Sequence, residues 1–178
     1  MHGTVLSVSS DDAHRFSKIV SQSVRLIEGY GVGGDAHAGR FVQHRYEAKK
    51  APLTPNRRQV HIIQSELFEE MRGLGFVIAP GDLGENITTA GIDLLALPLG
   101  AKLHLGESAV VELTGLRTPC GLIDKFKKGL KRSMIVRMPS AVTFRAGVLA
   151  IVTSSGDLRP GDLVRAELPT SKRALPAI

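Results

Sequence analysis

At 178 residues the chain is long enough for one domain with a real core and too short for two comfortable ones. No window approaches the roughly 18 apolar residues of a membrane span, and "MHGTVLSVSS" lacks the basic flank and apolar core of a signal peptide, so no membrane association is expected. The formal charge of +6 favours an anionic partner. With no tryptophan, few aromatics and no Lys/Arg block carrying interleaved rings, nucleic acid is not expected to be that partner.

Residues 3–8, "GTVLSV", alternate and are β-branched, so they read as a strand. "SVRLIEGYGVGGDAHAGR" begins as a strand and dissolves into five glycines between positions 29 and 39. Such a run marks backbone angles that other residues resist, or a close approach to a ligand. "EAKKAPLTPNR" is a polar, proline-containing loop, and "RQVHII" (58–63) is a strand. Ser65 is placed to N-cap a short helix, "ELFEEMRGLG", with Glu66 and Glu69 in its first turn and Gly73 or Gly75 ending it.

"APGDLGENITTAG" reads as a second loop, rich in glycine and acid. "AKLHLG", "SAVVELTG", "AGVLAIVTSSGDLRPGD" and "LVRAEL" are short strands separated by turn residues. That spacing predicts a closed or sandwich-like β-structure, mainly β, rather than a parallel α/β sheet. "CGLIDKFKKGLKRSM" is the other helical segment, with Leu122, Phe126 and Leu130 on one face and lysines on the other. Residues 1–168 form one domain in this reading, and 169–178, "PTSKRALPAI", a loose tail.

Three loops combine glycine or proline with groups that coordinate, pair or donate: "GGDAHAG", "TPNRRQVH" and "PGDLGEN". Singly, each is ordinary. Asp35, Asp82 and Asn86 are common in Asx turns, Arg57 reads as a surface charge, and a histidine such as His61 in an apolar strand is more often core than ligand. Together with Cys120 on a fourth loop they favour one cleft, since loops at one end of a β-scaffold commonly build the site.

Cys120 is the only cysteine, so it forms no internal disulfide and fits a reducing cytoplasm. It follows Pro119, stands where a helix starts and has Arg117 nearby; helix N-termini and cations favour thiolate. Three chemistries are open to it: a Cys–His nucleophile using His37 or His61, a zinc site, weak without paired ligand spacings, or thiolate ligation of a soft, high-valent metal or its sulfur.

The blocks "GGDAHAGR", "NRRQVHII", "PGDLGENITTAGIDLLALPLGAKLHLG", "ELTGLRTPC" and "FRAGVLAIVTSSGDLRPGD", in this order, resemble the MOSC domain, named for the C-terminal part of molybdenum cofactor sulfurase. The resemblance spans residues 29–162 and is to the stand-alone bacterial type, which includes proteins linked to resistance against N-hydroxylated purines. It implies a β-rich, barrel-like fold with a few helices. It matches Cys120 to the family's marked cysteine, used in relatives as a ligand for molybdenum cofactor (molybdopterin) or proposed to carry sulfur as a persulfide.

The resemblance also orders the other residues. Arg57 and Arg117 become anion contacts for the phosphate of the pterin tail, with Arg145 as a further one. Backbone at Gly34 and Gly84 can join them, while Asp35, His37, Glu85 and Asn86 shape the pocket or move protons. No pyridoxal phosphate module is recognisable, and one cysteine cannot ligate an iron–sulfur cluster. Electrons for any redox step are therefore expected from an external reductase. Two function classes follow: an oxidoreductase acting on a small N-hydroxylated substrate, or a carrier of the cofactor or of sulfur.

Overall fold

Strands dominate the computed structural model, which describes residues 1–43, 49–139 and 141–178. The first half holds β1 (His2–Ser10), β2 (Ile19–Ser21), β3 (Val24–Ile27), β4 (Gly31–Val32), β5 (Val60–Gln64), α1 (Glu66–Gly73) and β6 (Ile87–Ala90). There follow β7 (Lys102–Leu105), β8 (Ala109–Leu116), α2 (Gly121–Phe126), α3 (Leu130–Ser133), β9 (Ile135–Met138), β10 (Ala141–Phe144), β11 (Val148–Ser154), β12 (Gly156–Leu158) and β13 (Leu163–Glu167).

Seven strands close into a barrel in the order β13-β7-β8-β11-β5-β6-β1, and β1 returns to β13 through His2–Arg165, Gly3–Val164 and Thr4–Leu163. Closure removes the open edges that a sheet must otherwise protect. All neighbours run antiparallel except β5 and β6. The alternation in β7 and β8 turns Leu103, Leu105, Val111 and Leu113 inward, where they join Val5, Ile62, Ile87 and Val148 in the barrel core. A second cluster, with Ile63, Phe68, Ile123, Leu130 and Met134, seats the three short helices against one end of the barrel. Among the described residues no helix is long and apolar enough to cross a membrane.

The structure departs from the sequence expectations in several places. The second acidic loop ends at Asn86; Ile87–Ala90 is β6, buried between β5 and β1. Its β-branched residues suit a strand, but turn residues on both sides mask them. Ser65 does not cap α1 with its side chain: its backbone is already helical (φ −64°, ψ −23°), and a capping residue needs an extended one. The basic helical segment is two pieces: the first ends at Phe126, with Lys127 extended (φ −142°, ψ 116°), and Gly129 at a φ of +89° precedes the second. Of the expected apolar face Leu130 is buried and Phe126 packs partly buried against the same cluster, but Leu122 is 47% exposed and Ile123 takes its inward place.

The tail is not loose at its end. Leu175 is buried in the barrel core. Leu116 N–H donates to Pro176 O (2.7 Å), and Ile178 N–H donates to Leu116 O (3.0 Å). Gly115 permits this approach, since a Cβ there would lie 2.7 Å from both Pro176 O and Ile178 Cγ1.

Candidate functional site

Loops at one end of the barrel surround a cleft of about 390 Å³. One wall comes from the exit of β8, where Arg117, Thr118 and Cys120 line the cavity, and Leu122 of α2 extends it. His37 and Asn56 come from the glycine-rich loop and the segment before β5, Gly84 and Asn86 from the loop before β6, and Phe16 and Lys18 from the stretch after β1. The cleft is of ordinary size for a small-molecule site, and its lining mixes apolar side chains such as Phe16, Val42 and Leu149 with many polar and basic ones.

A buried polar network underlies it. Asp35 Oδ2 accepts from Lys18 Nζ (2.6 Å), Asn86 Nδ2 (3.0 Å) and Asp11 N–H (3.3 Å). Its Oδ1 accepts from His37 N–H (2.9 Å) and lies 3.4 Å from His37 Nδ1. Burial works to raise the Asp35 pKa, but His37, the Lys18 ammonium and the His37 N–H outweigh it and hold the carboxyl well below the usual carboxylate range. Burial draws the Lys18 pKa down despite Asp35. Asn86 ties this network to the barrel, its Oδ1 accepting from His61 N–H (3.1 Å) and its Nδ2 donating to Ser9 O (3.2 Å).

His61 is buried, and its Nε2 is 2.7 Å from Ala146 O. Burial, helped by the charge of Arg117, pushes its pKa well down. The ring is therefore neutral, with Nε2 carrying the proton that Ala146 accepts. Glu85 is fully buried; Oε1 accepts from Gly81 N–H (2.6 Å) and Oε2 from Leu83 N–H (3.2 Å). Burial raises its pKa against those donors.

Arg117 and His37 each have a buried nitrogen without a hydrogen-bond partner among the described residues, Nη1 of the guanidinium and Nδ1 of the ring. Burial pulls the guanidinium pKa down, and charge interactions with Cys120 and Glu85 oppose that. Cys120 is half-buried, with the extended backbone of a capping residue (φ −94°, ψ 170°) at the start of α2.

The structure thus brings Cys120, Arg117, His37, Asn86 and Gly84 onto one cleft. Asp35 and Glu85 stand behind its walls rather than on them. Gly34 is exposed, with a φ of +77° and open space around it. Arg57 is exposed and meets Thr114 Oγ1 through its carbonyl, while its neighbour Arg58 lines the cleft. Arg145 pairs with Glu70 beside a separate small hollow. Sequence reasoning missed Lys18, Asn56 and Phe16. No local signal marks Lys18, because its role depends on a partner 17 residues away.

A family model for the MOSC domain matches residues 34–165. That span takes in His37, Asn86, Arg117 and Cys120 and leaves out Lys18. A search of curated proteins gave no match. Among solved structures, the YUAD protein from Bacillus subtilis superposes with a TM-score of 0.76 at 22% identity, over 96% of this chain and 98% of that one. YiiM from Escherichia coli gives 0.66 at 17% identity, over 98% of this chain and 73% of that one. YiiM from Geobacillus stearothermophilus gives 0.63 at 17%, over 97% and 77% respectively. At these identities the likeness establishes a shared fold.

Proposed function

The chain belongs to the MOSC domain family, and from that premise we propose that its cleft binds molybdenum cofactor and that the protein reduces N-hydroxylated bases or related N-oxygenated compounds with electrons from an external donor. One observation carries the reading: beside Cys120 the cleft is lined by half-buried Arg117, whose Nη1 is buried and unpartnered among the described residues. A buried cation is costly unless paired, and an unsatisfied buried donor calls for an acceptor. An anionic, sulfur-bonded metal cofactor meets both needs, so the residues present fit the group.

Cys120 Sγ would be the soft ligand. Arg117, aided by Arg58 and Lys18 on the same walls, would hold the anionic part of the pterin. When bound, the cofactor supplies two-electron chemistry at its metal. The overall reaction breaks one N–O bond, consumes two electrons and two protons, and releases the amine and water. His37, which lines the cleft, would pass protons through its ring. Asp35 positions it, accepting its backbone N–H and facing its Nδ1. The Asp35 carboxyl itself stays ionised and is not a proton donor at neutral pH.

The test is purification from a cofactor-producing host, metal and pterin analysis, and then turnover with reduced viologen on 6-hydroxylaminopurine and on amidoximes. Molybdenum and pterin content together with turnover support the proposal. Loaded protein that turns over nothing would assign the carrier role instead, and protein without metal or pterin would overturn both.

A further inference from the structure

The cleft opens beside a segment rich in cations. Residues 121–137 contain Lys125, Lys127, Lys128, Lys131, Arg132 and Arg137 and a single acid, Asp124, a surplus close to the +6 of the whole chain. That acid is used locally: its Oδ1 accepts from Lys131 N–H (3.0 Å). Lys127 lies over the Phe126 ring (5.2 Å to its centre). None of the other five cations has an ion-pair partner among the described residues. Lys125, Lys128, Arg132 and Arg137 are exposed.

The packing explains why this face points outward and where it lies. Ile123, Leu130 and Met134 are buried in the cluster that seats α2 and α3 on the barrel, which leaves their other sides to solvent. Leu122, on the first turn of α2, lines the cleft, and Phe126 packs on the cleft residue Phe16 with ring centres 5.8 Å apart. The helix that begins the basic segment therefore abuts the cleft through Leu122 and Phe126.

We propose that this face docks an acidic electron-donor protein carrying a reduced flavin, seating it against the cleft rim. The need for a donor rests on the reductase reading above; the sign and position of the docking face rest on the residues just named. Each turnover would oxidise the donor by two electrons, the number that cleavage of the N–O bond consumes. Clustered, unpaired like charges raise the rate of encounter with an oppositely charged partner and make it salt-dependent. A protein is favoured over a nucleic acid because the face offers no exposed ring for a base to stack on; Phe126 is half-buried against Phe16.

The test compares the cofactor-loaded protein with a Lys125→Glu/Lys128→Glu/Arg132→Glu variant. Both receive either reduced methyl viologen or a reduced acidic flavodoxin, at low and at high ionic strength. Binding of the flavodoxin, of an anionic phospholipid vesicle and of a single-stranded oligonucleotide is measured separately by fluorescence anisotropy or sedimentation. The expected result is unchanged viologen-driven turnover, with flavodoxin-driven kcat/KM lower in the variant by about tenfold or more and weakened in the wild type by salt. Equal flavodoxin-driven rates and equal flavodoxin binding in the two proteins would overturn the proposal. Vesicle or oligonucleotide binding that the variant loses, without flavodoxin binding, would overturn it in favour of those partners. If viologen drives no turnover in loaded wild type, the reductase reading fails, and the docking face is judged on flavodoxin binding alone.

Discussion

Lys18 Nζ lies 2.6 Å from Asp35 Oδ2, and both side chains are buried. The two partners do not shift symmetrically. Asp35 is driven below the usual carboxylate range, whereas burial lowers the Lys18 pKa in spite of its partner. Desolvation of the ammonium thus offsets part of the attraction, and the pair is worth less than its short contact implies. Its stronger consequence is positional. Asp35 also collects N–H groups from Asp11, His37 and Asn86, so one carboxylate aligns three segments of the cleft wall.

Asp35→Asn should destabilise the fold more than Lys18→Met. The first leaves a buried ammonium without its counter-charge, a loss of about 3–5 kcal/mol. The second leaves a carboxylate that still accepts three backbone or amide N–H groups, and about 1–3 kcal/mol is expected. Urea unfolding of the cofactor-free proteins measures both; the reverse order would show that Asp35 is not the organising group.

The pH dependence follows from the same carboxyl. Its folded pKa is below its unfolded value, ordinarily about 3.9, so the stability it contributes is fully present above that value. That contribution is lost only as pH falls through the folded pKa in strong acid. Wild type should therefore hold the Asp35 contribution undiminished from pH 7 to pH 5 and begin to lose it below about pH 4. Asp35→Asn should show a shallower acid limb in the same titration. Identical limbs would deny the linkage.

Cys120→Ala should abolish cofactor retention and leave the fold intact. The thiol is half-buried and caps nothing with its side chain, so a change in stability within about 0.5 kcal/mol is expected. Metal and pterin content read the first effect and the melting transition the second. A lost transition would make the cysteine structural.

The barrel was legible because its strands are short apolar or alternating runs. β1, β5, β7, β8, β11 and β13 each show inward apolar residues between turn signals. β6 was not, since four β-branched or small residues inside a glycine- and acid-rich stretch carry no period of their own. The same limit divided the site. A lone cysteine at a strand–helix junction stands out in one dimension, and so do glycine-rich loops. Which member of a pair faces inward does not. Arg57 and Arg58 are equivalent as letters, yet Asn56 Oδ1 accepts the Arg58 N–H (3.0 Å), the Arg57 carbonyl accepts from Thr114 Oγ1, and only Arg58 of the two lines the cleft. Leu122 and Ile123 exchanged roles for a similar reason, because a six-residue helix is too short for its period to be read.

The arginines make a sharper comparison. Arg117→Ala should weaken cofactor retention by tenfold or upward, since a charge-assisted contact contributes about 1.5–3 kcal/mol. Arg57→Ala and Arg145→Ala should retain the cofactor as wild type does, the first being exposed off the cleft and the second engaged with Glu70. Pterin remaining after dialysis in salt is the measurement. Loss from Arg57→Ala equal to that from Arg117→Ala would reject the assignment of the anion contact to Arg117.

Gly147 tests how tightly backbone sets the site. Its φ is +92°, and an added Cβ would lie 2.5 Å from Ile62 O, 2.6 Å from Ile63 Cγ1 and 2.9 Å from His61 Nε2. Its own carbonyl accepts the Arg117 N–H (3.0 Å), and the preceding carbonyl, Ala146 O, accepts His61 Nε2. Gly147→Ala should therefore destabilise through strained backbone and through overpacking, each about 1–3 kcal/mol. It should also lower cofactor content by displacing Arg117. Gly121→Ala is the control: it sits beside Cys120 at the first position of α2, with ordinary φ and nothing within 4 Å of the new methyl. There a gain of about 0.4–1 kcal/mol is expected, because alanine narrows the unfolded ensemble where the native angles suit it. Urea midpoints that place Gly147→Ala level with Gly121→Ala would mean that the backbone at the β11 entrance yields freely, and that it does not fix Arg117.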